Sequence, residues 1–202
     1  KVVIEPQFDD AEPFSEGLWK VEKDGKYGFI DKNGKVVFEP QFDWVFDFSE
    51  GFAQVIKGGK WVFEDEMFKM VIKDGKSGFI DKSGKVVIEP QFDWTVAFND
   101  DAGAFSEGLA EVCKDGKYGF IDKSGKVVIE LQFDEAYPFS EGLAGVEKDG
   151  KWGFIDKNGK VVIELQFDEA YLFSEGLALV KKDDKYGFID KNGKVVIEPQ
   201  FD

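Results

Sequence analysis

Apolar residues along the chain fall in short runs, separated by polar breaks that contain glycine. In the stretch from residue 143 to 164 the runs are Leu143-Ala144-Gly145-Val146-Glu147, Trp152-Gly153-Phe154-Ile155 and Val161-Val162-Ile163-Glu164. Alternate residues of a strand point to opposite faces. Trp152 and Phe154 therefore share one face, with Gly153 and Ile155 on the other. A glycine beside an aromatic ring on a strand leaves room for close approach of another backbone or ring. The first two runs are joined at Asp149-Gly150, a strong signal for a type I′ hairpin, which needs positive φ at both central residues. Gly58-Gly59 and Asp183-Asp184 fill the same place elsewhere. The second and third runs are joined by Asp156-Lys157-Asn158-Gly159. Ser83 and Ser124 replace this Asn in other copies, and the Gly stays. That pattern predicts a type I turn followed by a left-handed Gly bulge.

The three-strand pattern repeats. Segments related to Lys26-Tyr27-Gly28-Phe29-Ile30-Asp31 start at Lys76, Lys117, Lys151 and Lys185, the last three spaced 34 residues apart. Helical arrays share this period, but the unit carries several glycines and no 3.6-residue apolar spacing, so a helical reading fails. The expected fold is all-β: tandem three-stranded antiparallel meanders in an open curved array, with a closed propeller-like ring as the alternative. The chain is expected to form a single repeat domain over residues 1–202. It would comprise an orphan strand at 1–9 and repeats at about 10–43, 44–63 (truncated), 64–93, 94–134 (with a seven-residue insertion), 135–168 and 169–202. On this count the second repeat lacks about 18 residues, including its third strand. The edge at Lys60–Phe63 would then be covered by Lys1–Pro6, by an equivalent strand of another chain through β-augmentation, or by the segment 64–70.

Composition narrows the chemistry. The chain has 202 residues, 26 Lys and no Arg or His, against 41 Asp+Glu, for a net charge of −15. Lack of His excludes Ser-His-Asp and Cys-His sites and His-ligated zinc. The acidic balance argues against nucleic acid and anionic membrane as partners. No apolar run is long enough for a membrane span, and no secretory h-region is present, so neither membrane insertion nor a remaining signal peptide is expected. The chain begins and ends at nearly the same phase of the repeat, which suggests a piece of a longer array or a processed form. Cys113 is the one cysteine and stands where other copies have Glu22, Ile56, Ile72, Glu147 and Lys181, which marks it as filler.

Candidate chemistry is sparse. Gly28 to Lys35 has five residues between its glycines where a phosphate loop needs four, and Val36 stands at the Mg²⁺-binding Ser/Thr position. Asp31-Lys32-Asn33-Gly34 has Gly at position 4, not at position 6 as in a calcium loop. Carboxylate pairs recur in each repeat, which favours a solubilising face over a glycosidase pair in a unique cleft. The rings Tyr27, Trp61, Tyr118, Trp152 and Tyr186 form a ladder that reads as core in preference to a sugar-stacking track. Two features remain as candidate binding residues. Trp44 and Trp94 stand where Glu135 and Glu169 occur in other copies, and the inserted Asn99-Asp100-Asp101 is the best site for a cation. No cofactor, metal site or catalytic residue is expected.

Lys151-Trp152-Gly153-Phe154-Ile155-Asp156, the following Asn158-Gly159-Lys160 and the lead-in Phe139-Ser140-Glu141-Gly142-Leu143-Ala144 resemble the bacterial WG-repeat (KWG-repeat) family. The similarity recurs along nearly the whole chain. One copy has the literal Trp-Gly, three have Tyr-Gly, one has Ser77-Gly78 and one has Trp61-Val62. The resemblance implies a tandem β-repeat protein of bacterial origin, often within larger, surface-exposed or exported proteins, and it implies no defined chemistry. The function expected is a non-enzymatic scaffold or binding module that recognises a protein or glycan through an extended face. The alternatives are a structural spacer or fibre subunit, or a glycan-active hydrolase using Asp and Glu.

Overall fold

The computed structural model describes residues 7–13, 17–64, 69–94 and 104–201. All the strands pair antiparallel, and among the described residues there is no α-helix and no sheet closes on itself. The chain divides into two compact bodies, residues 1–104 and 105–202.

In the C-terminal body the repeat is regular. Strands β11 (Leu109–Lys114), β12 (Lys117–Asp122) and β13 (Val127–Phe133) lie side by side in that order. The next sheet is β14 (Glu135–Ala136), β15 (Ala144–Lys148), β16 (Lys151–Ile155) and β17 (Val161–Phe167), and the last is β18 (Glu169–Ala170), β19 (Leu177–Lys182), β20 (Lys185–Asp190) and β21 (Val195–Phe201). Each contains the expected three-stranded meander. The last two add a short fourth strand on the outer side of the first, formed by the connection that follows the preceding repeat.

The turns explain the recurring sequence. Asp149 and Gly150 have φ of 54° and 76°, as a type I′ turn requires. At the second turn Gly159 has φ of 79° and donates its N–H to the Asp156 carbonyl at 2.9 Å. The Asp156 carboxylate also accepts the N–H groups of Asn158 (2.9 Å) and Lys160 (3.0 Å), an Asx turn. A third turn was not anticipated from sequence. Ser140 and Leu143 exchange backbone hydrogen bonds around Glu141 and Gly142, both at positive φ. Glutamate is a poor residue for that conformation.

The glycine after the ladder ring meets backbone. A Cβ on Gly153 would lie 2.6 Å from the Ile163 carbonyl oxygen and 2.8 Å from the Leu165 nitrogen. The register shows why: Trp152 pairs with Phe167 but Phe154 with Ile163, so β17 carries extra residues there and folds over the glycine. Gly28, Gly78, Gly119 and Gly187 make the same approach.

Cores form between successive repeats. Phe154, Ile163 and Phe167 of one repeat pack on Ala170, Phe173, Ala178, Val180 and Ile189 of the next. Phe120, Ile129 and Phe133 pack likewise on Ala136, Phe139, Ala144, Val146 and Ile155. Burying each such Phe or Ile contributes about 1.5–3 kcal/mol.

In the N-terminal body, β1 (Asp10–Pro13), β2 (Leu18–Lys23), β3 (Lys26–Asp31) and β4 (Val36–Phe42) form one regular sheet. The following strands are β5 (Trp44–Ser49), β6 (Phe52–Lys57), β7 (Lys60–Glu64), β8 (Lys69–Lys73), β9 (Lys76–Asp81) and β10 (Val86–Asp93). Their pairing departs from the expected boundaries at 44–63 and 64–93. Strand β6 pairs with β9, with Ala53 opposite Ile80 and Lys57 opposite Lys76, so the spatial order is β5-β6-β9-β10. One complete repeat thus spans residues 44–93, and β7 and β8 form a separate hairpin within it. The 50-residue interval from Lys26 to Lys76 is one period plus a 16-residue insertion. No third strand is missing. The edge of β7 is covered by β8, with Phe63 opposite Met70. Lys1–Pro6 lies outside the described residues.

Candidate functional site

Several of the polar residues that recur in each repeat are engaged in holding repeats together. Ser106 and Ser140 donate their hydroxyls to the carbonyls of Phe139 and Phe173 in the following repeat, at 2.8 and 2.7 Å. The Glu107 carboxylate accepts the N–H of Gly142 at 3.1 Å and pairs with Lys157 at 3.0 Å. Glu141 repeats this with Gly176 at 3.0 Å and Lys191 at 2.8 Å. The Lys191 ammonium beside Glu141 holds its carboxyl below the usual range. Burial pushes Glu107 up, but Lys157 and the Gly142 N–H more than offset this, and its carboxyl is also lowered.

A second clamp uses the aspartate that ends each third strand. Asp168 pairs with Lys151 at 2.5 Å and accepts the Asp183 N–H of the next repeat at 2.9 Å. Asp134 does the same with Lys117 and the Asp149 N–H, and Asp43 with Lys26 and the Gly59 N–H. The ion pairs hold the lowered carboxyls of Asp134 and Asp168. These carboxylates recur in the repeat and are engaged in contacts that hold the fold.

The positions that differ between repeats come together in the N-terminal body. Trp44 opens β5, and its ring meets Tyr27 of β3 edge-on at 4.8 Å and Phe46 at 6.4 Å. Phe46 in turn lies 4.9 Å from Trp94, just after β10. All four rings are partly exposed. The two Trp singled out in sequence are thus members of one cluster, linked through Phe46. The ammonium of Lys20 sits 4.6 Å from the Trp44 ring and 5.4 Å from Tyr27, a cation–π contact, and pairs with Glu12 at 2.7 Å. Burial, followed by the charge of Glu22, pushes the Tyr27 hydroxyl up to about 12.

The equivalent places in the C-terminal body are filled differently. Tyr137 and Trp152 stack at 4.7 Å over Gly145. In the last repeat Glu169, at the Trp44 position, accepts from Lys181 (3.0 Å), Tyr186 (2.9 Å) and Tyr171 (3.1 Å). Lys181 and Tyr186 hold its carboxyl below the usual range. Glu135 has no such donors, and burial with the neighbouring Glu147 raises it. In the N-terminal body the places of Trp152 and Gly145 are taken by Ser77 and Gln54. Both are buried, and the Gln54 side-chain oxygen has no hydrogen-bond partner.

Sequence reasoning missed Phe46, Tyr27 and Lys20 as members of the cluster. The available signal was Lys20, which stands where other repeats have Gln54, Glu111, Gly145 and Leu179. Asn99, Asp100 and Asp101 lie outside the described residues, as does the side chain of Trp61. Among the described residues no cluster of His, Cys, Asp or Glu has metal-binding geometry. Cys113 is buried on β11. No helix is long and apolar enough to cross a membrane among the described residues.

Antiparallel meanders clamped end to end by recurring Ser, Glu and Asp contacts define a tandem β-repeat protein. The WG containing repeat matches residues 1–27, 27–61, 78–118, 118–152, 152–186 and 186–202, and the chain belongs to that family. The unmatched stretch, 62–77, contains most of the inserted hairpin. No curated protein matches the chain. Among solved structures it is similar to one titled "Crystal structure of the eukaryotic initiation factor", at 13% identity and a TM-score of 0.55. That match covers 95% of this chain and 55% of the other, so this chain spans about half the length of that protein. The likeness is one of fold. A protein of unknown function from Bacteroides caccae also matches at 11% identity over 95% of this chain and 80% of that one, with a TM-score of 0.29.

Proposed function

We propose that the chain is a non-enzymatic repeat scaffold that binds a protein or glycan partner through the aromatic cluster Tyr27, Trp44, Phe46 and Trp94. The observation that carries this reading is the gathering of four partly exposed rings where the recurring pattern is broken. Exposed aromatic patches are enriched at binding surfaces, and Trp and Tyr supply most hot spots. Support for a non-enzymatic role comes from the carboxylates. Asp43, Asp134, Asp168, Glu107 and Glu141 are committed to contacts between repeats, which leaves them poorly suited to act as a general acid and base.

The test is a screen of soluble glycans and basic peptides by intrinsic Trp fluorescence, repeated on Trp44→Ala with Trp94→Ala. A ligand that shifts the parent spectrum should bind the double variant at least about tenfold more weakly, since each hot-spot Trp is worth about 2 kcal/mol or more. Equal binding by the parent and a folded double variant would refute the reading.

A further inference from the structure

Three repeats carry a matching row of residues across their first three strands. In one the row is Glu169 of β18, Lys181 of β19 and Tyr186 of β20, each directly opposite the next. In the repeat before it the row is Glu135, Glu147 and Trp152, on β14, β15 and β16. In the first repeat it is Asp10, Glu22 and Tyr27, on β1, β2 and β3. Each row sets at least one carboxylate beside an aromatic ring.

In two of these repeats the chain itself brings an ammonium to the row. The Lys181 ammonium lies 3.0 Å from the Glu169 carboxylate and 5.5 Å from the centre of the Tyr186 ring. That is within the range at which an aromatic face attracts a cation. In the first repeat the ammonium comes from Lys20, two residues before Glu22 on β2. It pairs with Glu12 at 2.7 Å and lies 5.4 Å from the Tyr27 ring.

The repeat of residues 135–168 has a lysine at neither place. Gly145 stands where the first repeat has Lys20, and Glu147 stands where the last has Lys181. Two glutamates therefore face each other across β14 and β15, an arrangement that costs stability. Lys117 acts on Glu147 through its charge, but its ammonium is paired with Asp134. Burial, and then the Glu147 charge, raise the Glu135 carboxyl. Glu135 is exposed and Glu147 partly so, within reach of a ligand. Beside them Trp152 is held by its stack on Tyr137 at 4.7 Å.

We propose that Glu135, Glu147 and the Trp152–Tyr137 ring pair form a binding site for an alkylammonium group, the end of a lysine side chain presented by a partner protein. The chain specifies the occupant: the same positions hold a lysine ammonium in the last repeat, with one carboxylate where this site has two. A metal ion fits less well. Ca²⁺ and Mg²⁺ take about six or more oxygen ligands, and a ring supplies none. The net charge of −15 draws a basic partner toward the chain. The site shares no residue with the cluster of Tyr27, Trp44, Phe46 and Trp94 and does not rest on the reading given to that cluster.

The experiment is an NMR titration of the isotope-labelled 202-residue chain with acetyl-lysine methylamide, read at the Trp152 indole N–H and the amides of Glu135 and Glu147. These signals should shift with a Kd of about 1–10 mM, and the uncharged acetyl-norleucine methylamide should leave them in place. Glu135→Gln with Glu147→Gln should weaken binding at least about tenfold, with unchanged circular dichroism. Glu147→Lys rebuilds the Glu169–Lys181 arrangement, so it should abolish the shifts and raise the melting temperature by about 1–3 °C. Lys181→Glu copies the acidic pair into the last repeat and should add a second set of shifts at Tyr186. No shift with the lysine probe up to about 50 mM, equal shifts with the norleucine probe, or unchanged affinity in the double Gln variant overturns the proposal. Lys181→Glu without a second site would break the equivalence of the rows, and the proposal with it. Butylammonium should bind as the lysine probe does; if it binds and the lysine probe does not, a lysine side chain is not the occupant.

Discussion

The two bodies are built from the same repeat and differ in how strictly they keep it. Residues 105–202 hold the 34-residue period, and the Ser and Glu of the lead-in turn pair from one repeat to the next. Residues 1–104 carry an inserted hairpin, part of a second insertion, and the aromatic cluster. Repetition therefore marks what holds the array together, and departure from it marks where a distinct function can sit. Ser77 illustrates this. It replaces the ladder ring that stacks on Tyr137 in the regular body, and leaves Phe46 to contact Trp94 instead.

The largest effects should appear in the regular body. Phe154→Ala removes a fully buried ring that joins two repeats and meets Phe173 at 4.8 Å. A loss of about 3–5 kcal/mol is expected. Phe188→Ala, at the same position in the open last sheet, should cost less than half as much. Denaturant titration of both variants measures the ratio, and equal losses would mean that the inter-repeat core is not what stabilises the array.

Gly153→Val comes next. The added side chain would collide with the β17 backbone, not with a flexible neighbour. A loss of about 2 kcal/mol or more is expected, because backbone must move to admit it. Gly78→Val in the interrupted body meets the same obstacle, with the Ile88 carbonyl at 2.4 Å, and should cost a similar amount. A tolerated change at Gly78 alone would show that the interruption has loosened the sheet around it.

Much of this was legible because some signals are local. Asp149-Gly150 specified its turn, and Gly153 specified a close approach, although its partner proved to be the bulged backbone of the next strand. Three features were hidden for physical reasons. Glu141 at positive φ defies the usual turn preferences, and what favours it there is a hydrogen bond to a glycine 35 residues away. The Asp168 clamp likewise joins residues 17 before and 15 after it, which no local pattern reveals. The insertion was misread because Gly58-Gly59 and Asp74-Gly75 both look like the first turn of a repeat. Only the pairing of β6 with β9 shows that they flank one hairpin. For the candidate site, the sequence singled out Trp44 and Trp94, but Phe46 joined them only through folding.

Acid should separate the bodies further. In the regular body Asp122, Asp134, Asp156, Asp168, Asp190, Glu107, Glu141 and Glu169 all have lowered carboxyls, through hydrogen bonds to turn N–H groups, Ser124 or lysines. In the interrupted body the lowered ones among the described residues are Asp31 and Asp81. A carboxyl lowered by folding contributes its full stability above its unfolded pKa and loses it as pH falls through the folded one. Stability should therefore fall below about pH 4, and more in residues 105–202. Glu135, raised by burial and Glu147, opposes this in part, since protonating it favours the folded state. Peptide-resolved hydrogen exchange at successive pH values reads each body in the intact chain. Earlier loss of protection in residues 1–104 would contradict the assignment.

The smallest effect is expected from the largest deletion. Removing residues 58–73 joins Lys57 to Asp74-Gly75-Lys76 and recreates the turn found at Lys148-Asp149-Gly150-Lys151. In the structure Lys57 already stands opposite Lys76 at the end of the β6–β9 ladder, as Lys148 stands opposite Lys151. Asp74 has a φ of 60°, close to the 54° of Asp149, and Gly75 must rotate to positive φ to match Gly150, a change that glycine admits at little steric cost. The two strands removed, β7 and β8, pair with each other and supply no strand to β5-β6-β9-β10. A shorter closed loop also costs slightly less entropy, about 0.6 kcal/mol per halving of length. The deletion should leave the unfolding free energy within about 1 kcal/mol of the parent and restore an uninterrupted 34-residue spacing from Lys26 to the shortened repeat. Loss of cooperative unfolding would show that the hairpin supports its host sheet and that residues 44–93 are not one repeat with an insertion.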